Sequence, residues 1–230
     1  MNIDIPARST TAFIFDLDGT LLDSVYDHVA AWARALREEG IDVPVWKIHR
    51  RIGMSGGLFA AALMRELGHD LDDAKKQRLR DLHATYYNAV SANVSPLPGA
   101  VALLQHLTQA GVAWAIATSS HIKTAGPVLA KLGVDPDKNV VITRDQTRYA
   151  KPDPDLFLVA ADKLQVDIST CVVVGDAVWD MLAATRARAL GIGFLSGGYG
   201  EQELRQSGAY RIFDGPADML EHIDEVGGRR

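Results

Sequence analysis

Two aspartates stand two residues apart in FDLDGTLLDS, at Asp16 and Asp18, directly after a short apolar run. Thr118, Ser119 and Ser120 follow a second apolar run, and Lys151 opens KPDP beyond a third. Asp176 and Asp180 follow a fourth, in VVGDAVWDM. Carboxylates can attack, shuttle protons or bind a hard cation. Hydroxyls can hold phosphoryl oxygens, and an ammonium can offset the charge that collects around them. This is a set of groups suited to phosphate and metal chemistry. Each also has a plainer reading: Asp16 as a strand end, Asp18 as a turn residue, Thr118 and Asp176 as helix caps, Lys151 as a surface cation.

The elements that must position these groups follow from the apolar pattern. Short runs rich in β-branched and aromatic residues occur at Thr11–Asp16, Val112–Thr118, Val140–Thr143, Cys171–Gly175, Ile192–Leu195 and Tyr210–Phe213, and predict buried parallel strands. Helical patterns cover Ala100–Ala110, Asp155–Gln165 and Ala177–Ala187. This alternation predicts a doubly wound, Rossmann-like α/β sheet. In such sheets, ligands sit beyond the carboxyl ends of the strands, which is where the polar groups fall. The stretch from Ser24 to Ser95 breaks the alternation, with helical patterns at Ser24–Glu39, Gly57–Leu67 and Asp72–Ala92 and no strand. The expected organisation is an α/β core domain, residues 1–23 and 96–230, carrying an inserted all-helical cap domain, residues 24–95. The GGRR tail, Gly227–Arg230, is expected to be mobile.

Composition narrows the function classes. At 230 residues, with 47% hydrophobic and 23% charged residues, the chain can bury a full core without a disulfide or structural metal. Its net charge of −5 argues against generic nucleic-acid or anionic-membrane binding. No apolar stretch is long enough for a membrane span, and no signal peptide is recognisable. Cys171 is the only cysteine, so no intrachain disulfide can form. A cytoplasmic protein, monomeric or homodimeric, is expected, with Cys171 as a buried, inert thiol.

Four motifs in order (DLDGT, the threonine of TSS, the lysine of KPDP and GDxxxD) identify the chain as resembling the haloacid dehalogenase-like superfamily, in its helical-cap phosphatase branch. The resemblance implies a Mg2+-dependent phosphatase acting on a small phosphorylated metabolite through an aspartyl-phosphate. Asp16 resembles the nucleophile, and Asp18 the general acid–base, its backbone carbonyl also binding metal. Thr118 resembles the hydroxyl that holds the phosphoryl group, aided by the Ser119 N–H, and Lys151 the charge-neutralising lysine. Asp176 resembles the main acidic Mg2+ ligand beside Asp16, and Asp180 a residue that orients the lysine or a metal-bound water. Family dehalogenases and phosphonatases lack a carboxylate where Asp18 stands. Ser120 is weighted toward helix capping.

The cap should choose the substrate. Its candidates are His28, Arg50, Arg51 and the Ile52–Gly57 stretch, with His28 and Arg51 taken as substrate-binding. Phosphoglycolate-type substrates are a guess from resemblance. The alternative is a β-phosphoglucomutase-like enzyme, supported by His28. Against it, Ile52 and Gly56 stand where those mutases carry a lysine and an arginine, and Gly175 where they often carry Glu. Trp32, Trp46, Trp114 and Trp179 are expected in cores or at the cap interface. The remaining histidines show no zinc-ligand spacing. The glycine-rich Gly197–Gly200 could approach the site.

Overall fold

The computed structural model describes residues 11–66, 68 and 72–228. Its chain runs β1 (Ala12–Phe15) and β2 (Leu22–Asp23), then four helices: α1 (Val25–Glu38), α2 (Val45–His49), α3 (Gly56–Glu66) and α4 (Asp73–Val90). After β3 (Ser95–Pro96), helices and strands alternate as α5 (Ala100–Gln109), β4 (Trp114–Ala117), α6 (Ile122–Leu129), β5 (Val140–Ile142), α7 (Asp155–Leu164) and β6 (Cys171–Gly175). The series ends with α8 (Val178–Ala187), β7 (Leu190–Phe194), α9 (Glu201–Gln206), β8 (Ala209–Phe213) and α10 (Pro216–Glu221).

Six parallel strands form one sheet in the order β5-β4-β1-β6-β7-β8, the doubly wound, Rossmann-like arrangement expected. The first strand therefore lies inside the sheet, with β4 on one side and β6 on the other. Its alternating side chains enter two layers. Phe13 and Phe15 pack with Leu103 and Leu107 of α5, and Ala12 and Ile14 with Leu156 and Phe157 of α7. With both faces covered, β1 needs an apolar residue at every position, and AFIF supplies it.

The four helices of the insert lie between β2 and β3, which pair antiparallel as Leu22↔Pro96 and Asp23↔Ser95. They share a hydrophobic cluster that includes Val29, Trp32 and Leu36 of α1, Phe59 and Leu63 of α3, and Leu79 of α4. Tyr87 of α4 and Ala31 of α1 instead join the cluster beneath the sheet, so the insert is anchored to the core by packing.

Three expectations change. Trp46 is neither core nor interface; it is 64% exposed. Short helices α2, α9 and α10 and the β2–β3 pair had no clear sequence signal, being too brief to show a period. Gly228 is buried and its N–H donates to the Ile223 carbonyl, so the described half of the tail is fixed. Arg229, Arg230, Leu67 and His69 lie outside the described residues. Cys171 is buried as expected, and burial pushes its thiol up to about 11. No helix among the described residues is long and apolar enough to cross a membrane.

Because β1 carries Asp16, its packing sets the precision of that group. Phe13→Ala empties a fully buried site and is expected to cost about 3–5 kcal/mol, read from the urea midpoint at unchanged slope.

Candidate active site

The carboxyl ends of β1, β4 and β6 deliver Asp16, Thr118 and Asp176 to one edge of the sheet, all buried. Lys151, from the loop before α7, reaches the same place and is 0% exposed. Its ammonium contacts Asp16 Oδ1 and lies 2.8 Å from Asp180 Oδ1. The other Asp180 oxygen accepts from the Ala177 N–H at 3.0 Å, fixing the first turn of α8. Burial alone would neutralise Lys151, but Asp16 and Asp180 reverse that and hold it charged.

Asp18 occupies a separate polar nest. Ser24 Oγ donates to it at 2.7 Å and Ser120 Oγ at 3.0 Å, and His28 Nε2 stands 3.0 Å from Oδ1. Burial opposes ionisation there, but His28 and the two hydroxyls win and hold the carboxyl far below its usual range. Ser120 therefore does not cap α6. The N-cap of that helix is His121, and its Ile122 N–H donates to Asp145.

Oxygens of Asp16, Asp176 and Asp180 lie within 4.8 Å of one another. Three buried carboxylates face one ammonium, leaving two negative charges uncompensated. An all-oxygen donor set with that deficit fits a hard divalent cation such as Mg2+. Asp180 is already committed to Lys151 and Ala177, so Asp16 and Asp176 are the freer donors. Asp176 is oriented by Thr20, whose hydroxyl donates to Oδ1 at 3.0 Å. Burial, then Asp180 and Asp16, push the Asp176 carboxyl well up, and burial pushes Asp16 up to about 7 against the pull of Lys151. Two glycines allow the crowding: a Cβ on Gly19 would sit 2.5 Å from Asp176 Oδ2, and one on Gly197 1.8 Å from it. Gly197–Gly200 thus does approach the site.

A family model for haloacid dehalogenase-like hydrolases matches residues 10–188, more than half of the chain. The chain belongs to the haloacid dehalogenase-like hydrolases. It is 29% identical to an N-acetylmuramic acid 6-phosphate phosphatase of Pseudomonas aeruginosa over 94% of this chain and 95% of that one. It is 36% identical to a phosphoglycolate phosphatase of Xanthomonas campestris over 78% of this chain and 80% of that one. A crystal structure of a hydrolase from Pseudomonas syringae superposes with a TM-score of 0.93 at 51% identity, covering 94% and 99% of the two chains.

In this hydrolase, the insert closes over the site through several contacts. Ser119 Oγ donates to the Gly53 carbonyl at 2.8 Å. Trp179 Nε1 and Tyr199 Oη both donate to the Arg50 carbonyl, at 3.2 and 2.8 Å. The Arg50 guanidinium pairs with Glu203 and lies over the Tyr199 ring. Arg51 borders the pocket above Asp16, but its guanidinium is tied to Glu66 and to the Lys47 carbonyl. A Cβ at Gly175 would lie 2.3 Å from the Asp180 Cβ, so no larger residue fits there.

Sequence reasoning missed His83 and Arg80. His83 Nε2 lies 3.0 Å from His28 Nδ1, its ring stacks on Trp32 at 4.3 Å, and Tyr87 stacks on His28 at 3.8 Å. The available signal was spacing: Arg80, His83, Ala84 and Tyr87 recur every three or four residues and share one face of α4.

A carboxyl raised on folding favours the fold below its unfolded value and loses that contribution as pH climbs through its folded value. For Asp16 this loss spans 3.8 to about 7, and Asp176 adds to it. Asp18 acts oppositely, losing its contribution only at strongly acidic pH. Cation binding requires the ionised carboxylates, so Mg2+ is expected to raise Tm clearly at about pH 8 and little at about pH 5. Equal gains at both pH values in thermal melts would exclude these carboxylates as the ligands.

Proposed function

We propose that this hydrolase is a phosphoric monoester hydrolase, releasing phosphate from a small phosphorylated metabolite by way of an aspartyl-phosphate on Asp16. The observation that carries the reading is the pairing of Asp16 with a fully buried Lys151, beside a second carboxylate, Asp18, held in a separate environment. Two neighbouring carboxyls pushed to opposite ends of their range can take two different roles. The phosphatase relatives support this class of substrate. A cytoplasmic setting fits Cys171, which has no second cysteine to pair with.

An Asp16 oxygen attacks phosphorus as the bond to the leaving alcohol breaks, and the departing oxygen takes a proton from Asp18. Asp18 is ionised in the free protein. The negative charge of an arriving phosphate ester raises its proton affinity, so Asp18 takes up a proton from water before the transfer. In the second step Asp18 accepts a proton from water as the water oxygen attacks phosphorus, and Asp16 leaves as carboxylate. Thr118 and Lys151 hold the phosphoryl oxygens, and the Ser119 N–H adds to that cradle. Asp16, Asp176 and the Asp18 carbonyl would hold Mg2+, which would supply further charge neutralisation there. Asp180 positions Lys151.

A mutase reading draws on one observation, the contact of His28 with Asp18. The packing at Gly175 weighs against it, since it leaves no room for the Glu that such mutases often carry. With hexose phosphates and a bisphosphate activator, free phosphate is expected to exceed isomerised sugar; the reverse would favour the mutase.

Asp16→Asn is expected to abolish phosphate release in the presence of Mg2+, and Asp18→Asn to slow it by roughly 10²–10⁴-fold. Unchanged release by Asp16→Asn would remove the nucleophile assignment.

A further inference from the structure

The chamber above Asp16 and Asp18 is small, about 80 Å³, and shares part of its lining with a groove of about 800 Å³ between the insert and the core. Arg80 lines both spaces and so stands at the seam between them. The chamber wall beside it is rigid. Trp32 is sandwiched between Phe59 at 4.2 Å and His83 at 4.3 Å, so neither face of its ring is free.

Arg51 and Arg80 are the two arginines lining the chamber, and they differ in their partners. Arg50 pairs with Glu203, Arg51 with Glu66 and Arg78 with Glu39. Among the described residues Arg80 forms no ion pair, and Asp73, whose charge it feels, is itself paired with Lys76. Its hydrogen bond runs to the neutral Gln77 side chain, at 2.5 Å. The backbone opposite is bare: a Cβ on Gly57 would lie 3.2 Å from Arg80 Nη1, so glycine lets the guanidinium lie against the start of α3. The acidic groups of the groove are otherwise engaged. Asp145 holds His121 and the Ile122 N–H, Asp153 faces Arg186 at 3.8 Å, and Asp81 accepts from Gln77.

We propose that Arg80 is a specificity-determining residue that binds a carboxylate at the far end of the leaving group, making the preferred substrates phosphate monoesters of extended hydroxy acids. A planar guanidinium matches a carboxylate in a two-point contact, and an unpaired one at the rim of a confined chamber gains most from it. The chamber takes the phosphoryl end, and the carboxylate lies at the seam with the groove. This rests on the phosphatase reading above.

The test uses an ester pair matched in carbon number: 6-phosphogluconate, which ends in a carboxylate, and sorbitol 6-phosphate, which ends in an alcohol. Wild type is expected to favour the acid in kcat/KM by roughly 10- to 100-fold. It should also favour it over 2-phosphoglycolate, whose carboxylate is too close to phosphorus to reach the seam. Arg80→Gln should erase the preference by lowering kcat/KM for the acid alone, and Arg80→Lys should restore part of it. An equal loss on both esters, or a preference that survives Arg80→Gln, would overturn the proposal. So would wild type that hydrolyses p-nitrophenyl phosphate but neither sugar-derived ester. If wild type also fails on p-nitrophenyl phosphate with Mg2+, the phosphatase reading itself falls, and this proposal with it.

Discussion

A lysine ammonium with no contact with solvent, wedged between two carboxylates, organises this molecule. Taking Lys151 out of water costs several kcal/mol, and the cost is offset only while Asp16 and Asp180 stay in place. Those partners come from the end of β1 and the first turn of α8, and the lysine from the loop before α7. One charge cluster thus fixes three segments that are remote in the chain. The cancellation is incomplete by design of the residue types: Asp176 joins the same cluster without a cation of its own. Burial first, and then that surplus of negative charge, keep Asp16 and Asp176 reluctant to ionise, and the surplus is the physical basis of the site's fit for a divalent ion.

The parts legible in the sequence were those governed by local rules. Unbroken apolar runs ending in a carboxylate marked β1 and β6, because a strand covered on both faces tolerates no polar residue until it leaves the sheet. The sheet's topology then follows from alternation, and the convergence of Asp16, Thr118, Lys151 and Asp176 follows from the topology. Ser120 was misread because a serine before a helix commonly caps it. Here a distant carboxylate, Asp18, competes for the hydroxyl, and no local pattern reveals such competition. The partners of Arg50 and Arg51 were equally invisible. Both looked like candidates for an anionic substrate, yet Glu203 and Glu66 claim them through contacts set by tertiary packing. Trp46 shows the limit of hydrophobicity as a guide, since α2 is too short to bury every apolar side chain it carries.

The insert contributes a wall of stacked rings as well as a lid. Phe59, Trp32 and His83 form one stack, while Tyr87 and His28 form another that reaches Asp18. Burial and the neighbouring His28 keep His83 well below the usual histidine range. Tyr87 belongs to the cluster beneath the sheet, so the ring against His28 is braced by the same core that braces Phe13 and Phe15. Orientation of the group at Asp18 is therefore tied to core packing and does not depend on the loops of the insert alone.

The central place of β1 in the sheet has a consequence for biosynthesis. Ala12 pairs with Cys171, and Phe13 with both Trp114 and Val172. A nascent chain exposes this wholly apolar strand long before either neighbour has left the ribosome, while the helices of the insert emerge in between. Those helices can collapse around Trp32 and Leu36 at once, but the strand that bears Asp16 must wait for β6. Until then AFIF is a sticky edge, so the interval between translating β1 and translating β6 is the period in which a chaperone has most to protect.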